Sequence, residues 1–432
     1  MNGNLDVLKD TGIEVRNGTI KRYIKRNEVI PEGEKVFNFP DYILLPGFIQ
    51  THVHLCQTLF RGLAEDLPLL DWLSKRIFPY ENNHNRKSLE ISAKIGLCEL
   101  QKTGTTAIMD MGTMRHQEVI FEEMIKSGMR GFAGKCMIDT NGLYPSFCEP
   151  YEDSLKTSIE FAKAYHNSNN GRIKYAFAPR FVLSCSEKLL KETYSALSDF
   201  EGSLFHSHSS ENKQEVEEVR RITGKENIEY FNSIGVLGER TVFAHCIHLN
   251  DNEIELIRSK KAKIAHCPSS NLKLGSGVAD IPGYLNKGIN VSLGADGAPC
   301  NNNLSCLNEM RLASLIQKPK YGSAAMSAQE VIKMATINAA EALGIANETG
   351  SIEPGKKADL LLMDLNGINN PLNDVDIYSS IVYSADVTNI KEVMIEGEWV
   401  ISNGESVIYN EQELVSEGKE ELKKLIERKN TR

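Results

Sequence analysis

Leu44-Leu45-Pro46-Gly47-Phe48-Ile49-Gln50-Thr51-His52-Val53-His54 is an apolar run that ends in two histidines one residue apart. On an extended strand, residues i and i+2 share a face, so His52 and His54 aim their imidazoles at one place. A metal ion suits that arrangement, and so does a hydrogen-bonded histidine pair at a strand end. A motif this short does not choose between them. The rest of the chain does.

Upstream, Gly12–Val15 and Thr19–Ile24 read as short strands on either side of Asn17-Gly18, a hairpin signal. From Tyr42 a strand-then-helix rhythm sets in. The segments that read as strands are Ile43–His54, Thr105–Met111, Gly131–Ile138, Ile173–Val182, Ser203–His208, Thr241–Ile247, Ala262–His266 and Asn290–Gly294. Amphipathic stretches lie between them, among them Arg86–Lys102, Gln117–Lys126, Ser186–Ser198 and Asp251–Ser259. Alternation over about 300 residues predicts an α/β fold with a parallel sheet, and about eight repeats predict closure into a (β/α)8 TIM barrel.

After Ala346 the rhythm breaks. Gly350–Gly355 is a turn, and Ala358–Met363, Glu392–Ile395 and Glu398–Ile401 resemble the N-terminal strands. The chain ends are therefore expected to meet in one small β domain, residues 1–45 with 350–410, with the barrel of residues 46–349 inserted between them. Residues 411–432 carry a charged amphipathic helix, Glu411–Lys429, that reads as a packing helix.

The hydrophobic fraction of 41% and charged fraction of 25% are those of a soluble globular protein. A net charge of -9 argues against a nucleic-acid partner, which calls for a basic patch. No stretch has the length of a membrane span or the form of a signal peptide. The nine cysteines are scattered with no C-x-x-C, so neither a disulfide framework nor a zinc ribbon is signalled, and a cytoplasmic location is expected.

Of ten histidines, His52, His54, His206, His208, His245, His248 and His266 fall at or just after predicted strand ends. Barrel active sites sit at those ends. Strand 8 ends Gly294-Ala295-Asp296-Gly297, which adds a carboxylate to the same rim. Taken singly, Asp296-Gly297 is a turn signal, His266 before Cys267-Pro268 is a packed or supporting histidine, and one of His206 and His208 is structural. Taken together, so many ionisable groups at one rim need a common partner, and a divalent metal supplies it.

Pro46–His54, the His208-to-Glu211 segment, Ala244-His245-Cys246, His266–Asn271 and Leu293–Gly297 resemble the amidohydrolase superfamily, in the branch of nucleoside and guanine deaminases and triazine hydrolases. That resemblance implies a distorted (β/α)8 barrel with a small β-sandwich built from both termini. It implies one divalent metal, Zn2+ or else Fe2+, bound by His52, His54, His208 and Asp296, and a homo-oligomer, dimer or tetramer. It also implies that His245 orients the attacking water, that Glu211 protonates a ring nitrogen, and that Asp296 receives the water's proton. The other zinc deaminase architecture needs P-C-x-x-C, and Pro299-Cys300 is followed by three asparagines instead.

Two features bear on the substrate. Leu59–Asp66, Asp71-Trp72-Leu73 and Pro79-Tyr80-Glu81 resemble the loop of the methylthioadenosine/S-adenosylhomocysteine deaminases, which implies that Trp72 packs on the substrate and Glu81 accepts from ribose hydroxyls. Ala178-Pro179-Arg180-Phe181 instead resembles guanine deaminase, where the arginine donates to a ring oxygen or nitrogen. Cys300 is the fourth candidate for substrate contact. The run Gly294–Asn302 and both features together resemble a subgroup labelled 5′-deoxyadenosine deaminase. The expected reaction is hydrolytic deamination of a 5′-modified adenosine (5′-deoxyadenosine, methylthioadenosine or S-adenosylhomocysteine). Guanine or another oxopurine is the second expectation, and a triazine aminohydrolase or chlorohydrolase the third. A non-enzymatic scaffold is disfavoured by the complete ligand set.

Overall fold

The computed structural model describes residues 1–368, 370 and 376–431. It opens with an antiparallel hairpin, β1 (Thr11–Arg16) and β2 (Thr19–Lys25), reversed at Asn17 and Gly18, both of which have positive φ. Next come β3 (Tyr42–Pro46) and β4 (Phe48–Val53). The sequence predicts one strand over Ile43–His54, whereas the structure divides it at Gly47 and sends the halves to different sheets. Only glycine fits at the break, where a Cβ on Gly47 would lie 2.1 Å from Thr106 Oγ1.

The following strands are β5 (Thr105–Met111), β6 (Arg130–Gly134), β7 (Cys136–Met137), β8 (Ile173–Pro179), β9 (Leu204–Ser209), β10 (Thr241–His245), β11 (Lys263–His266) and β12 (Val291–Leu293). β4, β5, β6, β8, β9, β10, β11 and β12 pair in that order, each parallel to the next, and the short β7 pairs with β8. The ring closes at the seam between β12 and β4. There Asp296 N–H donates to His52 O at 3.0 Å, beside a parallel bridge between Val53 and Asp296. Gly294 permits the approach, since a Cβ there would lie 2.6 Å from His52 O.

Ile49, Met109, Phe132, Leu204 and Val242 fill the barrel, which Ala339, Ala340 and Leu343 plug at the end away from the histidines. The helices Arg86–Lys102, Gln117–Lys126, Glu187–Ala196 and Asp251–Lys260 form part of the outer layer. Asn250 and Glu253 start the last of these with a reciprocal capping box.

The chain ends do meet. β13 (Leu360–Asp364), β14 (Ile390–Ile395), β15 (Glu398–Ser402) and β16 (Glu405–Ser406) form an antiparallel sheet in the order β16-β15-β14-β13-β3. The β1–β2 hairpin packs on it through Ile20, Ile352, Ala358, Leu360 and Met394. The final helix, Glu411–Thr431, lies on Arg86–Lys102 and buries Leu414 and Leu425 beside Ile91 and Cys98. No helix among the described residues is long and apolar enough to cross a membrane.

Candidate active site

Each functional side chain sits at the C-terminal end of a barrel strand or in the loop just beyond it. His52 is in β4 and His54 one residue past it, His208 is in β9, and Asp296 follows β12. Each offers a ligand atom, and these atoms lie within 4.8 Å of one another. His54 Nε2 is 3.3 Å from His208 Nε2, and Asp296 Oδ1 is 3.2 Å from His52 Nε2 and 3.4 Å from His54 Nε2.

Hydrogen bonds behind the rings decide which nitrogens face this centre. His54 Nδ1–H donates to Met111 O, and His208 Nδ1–H donates to Arg180 O, both at 2.8 Å. A carbonyl can only accept, so both rings carry their proton on Nδ1 and present a bare Nε2 lone pair inward. His52 reaches the same state less directly. His206 Nδ1–H donates to Val242 O at 2.9 Å, which leaves His206 Nε2 to accept from His52 Nδ1–H at 2.7 Å. His52 Nε2 has no hydrogen-bond partner although it is buried. Burial holds all four imidazoles below their ordinary pKa, hence neutral. Three nitrogen lone pairs and a carboxylate converging in a buried site are the donor set of an open divalent-metal site. The residues fit the ion.

Glu211 and His245 stand beside it. His245 Nδ1–H donates to Asn271 Oδ1 at 2.9 Å, and its Nε2 lies 3.4 Å from Glu211 Oε2 and 3.9 Å from Asp296 Oδ2. That Nε2 is also buried without a partner. Burial, reinforced by the charge of Asp296, pushes the Glu211 carboxyl well above its usual range, against the pull of Arg180. Asp296 Oδ2 accepts from Ser270 Oγ at 2.7 Å and Oδ1 from Gly297 N–H at 2.8 Å. The backbone here is strained: φ is 75° at His245, 49° at Cys246, 52° at Ser210 and 62° at Asp296. Each such non-glycine residue costs on the order of 1–3 kcal/mol, a concentration typical of functional sites.

The centre opens into a cavity of about 20 Å³. His54, His208, Glu211, His245 and Asp296 line one side; Leu69, Trp72, Leu73, Arg180 and Phe181 line the other. Trp72 Nε1 is buried there with no hydrogen-bond partner. Arg180 follows β8, and its guanidinium lies over the Phe78 ring. Arg180 Nη1 contacts Glu81 Oε2 at 3.2 Å, and Gln57 Nε2 donates to Glu81 Oε1 at 2.7 Å. The two residues that pull the sequence towards different substrates are thus an ion pair. Glu81 and Cys300 do not line the cavity. The Cys300 thiol is fully buried and donates to Gly297 O at 3.1 Å.

A model of the amidohydrolase family matches residues 43–400. The chain belongs to that family. A 5′-deoxyadenosine deaminase of Methanothermobacter thermautotrophicus is 38% identical over 387 residues, covering 88% of this chain and 87% of the relative. A 5-methylthioadenosine/S-adenosylhomocysteine deaminase of Syntrophomonas wolfei is 35% identical over 400 residues, covering 92% and 90%. The solved structure of an adenosine deaminase from Xanthomonas campestris with bound Zn has a TM-score of 0.91 at 26% identity, covering 98% of this chain and 95% of that one.

Within this amidohydrolase site, several supporting residues have partners that the sequence does not announce. Ser270 and Asn271 lie in the segment singled out after His266, yet only the helix Pro268–Lys273 brings them to Asp296 and His245. Glu309 fastens that helix by accepting from Ser269 N–H at 3.1 Å and Asn301 Nδ2 at 2.9 Å. Gln50 Oε1 accepts Ala295 N–H at 2.9 Å and ties the Asp296 loop to β4. His266 is buried with neither ring nitrogen hydrogen-bonded, and it is not one of the converging ligands.

Proposed function

We propose that this amidohydrolase removes the 6-amino group of an adenine nucleoside modified at its 5′ position, giving the inosine-type product and ammonia. His52, His54, His208 and Asp296 would hold one divalent ion, Zn2+ or Fe2+. The observation that carries the reading is a raised-pKa carboxyl, Glu211, set beside an unpartnered imidazole nitrogen of His245 at the edge of that ligand set. The deaminase relatives cover most of the chain and support the same class of substrate.

A bound divalent ion supplies Lewis acidity, which makes water a nucleophile near neutral pH. Protonated Glu211 donates to a ring nitrogen of the base, and the neighbouring C6 becomes more electrophilic. His245 Nε2 accepts a hydrogen bond from the attacking water and holds it against C6. Asp296 Oδ2, oriented by the Ser270 hydroxyl, takes the water's proton and passes it to the amino group. The C–N bond then breaks, ammonia leaves, and the new hydroxyl returns its proton to Glu211 as C6 becomes a carbonyl. Leu69, Trp72, Leu73 and Phe181 keep bulk water away.

The place of Arg180 in the cavity wall favours guanine as a second reading. Against it, the guanidinium already faces Glu81, so an oxopurine would have to break a buried ion pair to recruit it. Ammonia release from a panel decides: 5′-deoxyadenosine, methylthioadenosine, S-adenosylhomocysteine, adenosine, guanine, 8-oxoguanine and melamine. Turnover is expected for the 5′-modified nucleosides. Turnover confined to guanine and its relatives would overturn the proposal. The nine cysteines, all free, suit a reducing cytoplasm.

A further inference from the structure

The three imidazoles that face the metal centre are not supported alike. Those of His54 and His208 donate to backbone carbonyls, Met111 O and Arg180 O, which no side-chain substitution removes. That of His52 donates to another side chain, His206, which is fully buried and anchored in turn to Val242 O. The anchor is built into the sheet, because Val242 of β10 stands directly opposite His206 of β9. An imidazole that has spent its only N–H on a carbonyl has one option left at the other nitrogen, to accept. The direction of the chain is therefore fixed from Val242 outward. The last atom in it, His52 Nε2, is buried with no hydrogen-bond partner.

We propose that His206 is a positioning residue for the metal centre: it sets His52 in the Nδ1–H tautomer and raises the donor strength of His52 Nε2. An sp2 ring nitrogen is a stronger base than an amide oxygen, so it draws the Nδ1 proton harder and leaves more electron density on the ligating nitrogen. His52 thus becomes the strongest of the three nitrogen donors. The inference rests on the metal-dependent reading above and goes further, since it assigns a role to a histidine that touches neither substrate nor ion.

The test uses the full-length protein loaded with Zn2+ and reads metal affinity by competition with a chromophoric chelator. His206→Leu removes the acceptor. His206→Gln restores one, because the glutamine side-chain oxygen reaches close to the place of the imidazole Nε2. The expected result is a loss of about 10–100-fold in Zn2+ affinity for His206→Leu, with His206→Gln recovering most of it. The Co2+-loaded forms should follow the same order, with the visible absorption of His206→Leu displaced and that of His206→Gln near the wild type.

Wild-type affinity in His206→Leu would overturn the inference. So would equal losses in both variants when both are folded, because that would assign the effect to packing. A wild-type protein that takes up neither Zn2+ nor Fe2+ would overturn the metal reading as well, which separates the two failures. If His206→Leu does not fold, nitrogen chemical shifts of histidine-labelled, metal-free wild-type protein decide instead. His52 protonated on Nδ1 supports the inference, and His52 protonated on Nε2 defeats it.

Discussion

The two sides of the cavity solve opposite problems. On the metal side, the hydrogen bonds run outward, from the backs of His52, His54, His208 and His245 to His206, Met111 O, Arg180 O and Asn271, and the inward-facing nitrogens stay bare. On the other side the charges satisfy each other: Arg180 against Glu81, with Gln57 bracing the carboxylate. The first arrangement fits an ion. The second pairs its charges without a ligand and leaves Trp72 Nε1 unpartnered there. The cavity volume of about 20 Å³ holds about one water, whereas small-molecule sites are usually several hundred Å³. A nucleoside therefore does not fit the cavity in this conformation.

The largest effect is expected where the metal side meets the chemistry. Glu211→Gln keeps the shape of the side chain but cannot deliver a proton, and kcat should fall by about 10²–10⁴-fold. Bound metal should stay at the wild-type level, because Glu211 is not among the converging ligands. Near-normal turnover with metal in place would remove Glu211 from the proton path. Removing the metal with a chelator should abolish turnover, and adding Zn2+ back should restore it.

Arg180→Met attacks the other side. It leaves the Glu81 carboxylate buried without its cation, an uncompensated charge that costs about 3–5 kcal/mol. The double variant Arg180→Met/Glu81→Leu should recover most of that loss, because an apolar pair of similar volume replaces a buried ion pair at little cost. Urea unfolding of the two variants measures it. Metal content should not change in either, since His208 is held by the Arg180 backbone carbonyl and not by its side chain. A single variant as stable as the wild type would mean that the pair is open to water and that the contrast between the two sides is wrong.

His84, buried beside Phe60 and Ser88, supplies a pH-dependent test. Its Nε2–H donates to Cys56 O at 2.7 Å, two residues beyond His54. Burial lowers its pKa to about 4 despite that hydrogen bond, and the charge of Arg428 helps. The folded protein keeps His84 neutral while an unfolded chain protonates it below about pH 6.5. Its contribution is therefore present above pH 6.5 and is lost as pH falls towards 4, by on the order of 3 kcal/mol in all. His84→Gln should flatten the fall in stability across that window. An unchanged slope would assign the acid sensitivity to other groups.

The same contrast explains how much was legible. His52, His54, His206, His208 and Asp296 show in the sequence as strand-end groups, because period-2 spacing is a local signal and a barrel brings strand ends together by its topology. The choice of His208 over His206, and of Asp296 as a ligand, comes from the family resemblance. The division of Ile43–His54 at Gly47 was not legible. Its two halves find partners far along the chain, β13 for β3 and β5 for β4, and neither pairing is announced locally. The pairing of Glu81 with Arg180 spans 99 residues, and nothing local announces it. Two residues read as rival substrate contacts are mutual partners. Ser270 and Asn271 were visible as part of a motif, but their separate targets follow from one turn of helix.

The smallest effect is expected at Cys300, and it bears on whether the substrate side reaches that far. Its thiol is fully buried behind the Asp296 loop, donates to Gly297 O at 3.1 Å, and is held well above its usual pKa by burial and then by the charge of Asp296. A protonated, enclosed thiol is a packing group with one weak hydrogen bond. Cys300→Ser keeps a donor for Gly297 O, and Cys300→Ala gives up a bond worth about 1 kcal/mol of stability. If the substrate does not touch this position, kcat/KM for 5′-deoxyadenosine should stay within about threefold in both variants, ~0.7 kcal/mol or less. A KM raised tenfold with kcat unchanged would mean that the substrate reaches as far as Cys300 on binding. Cys300 would then belong with Trp72 on the substrate side of the cavity.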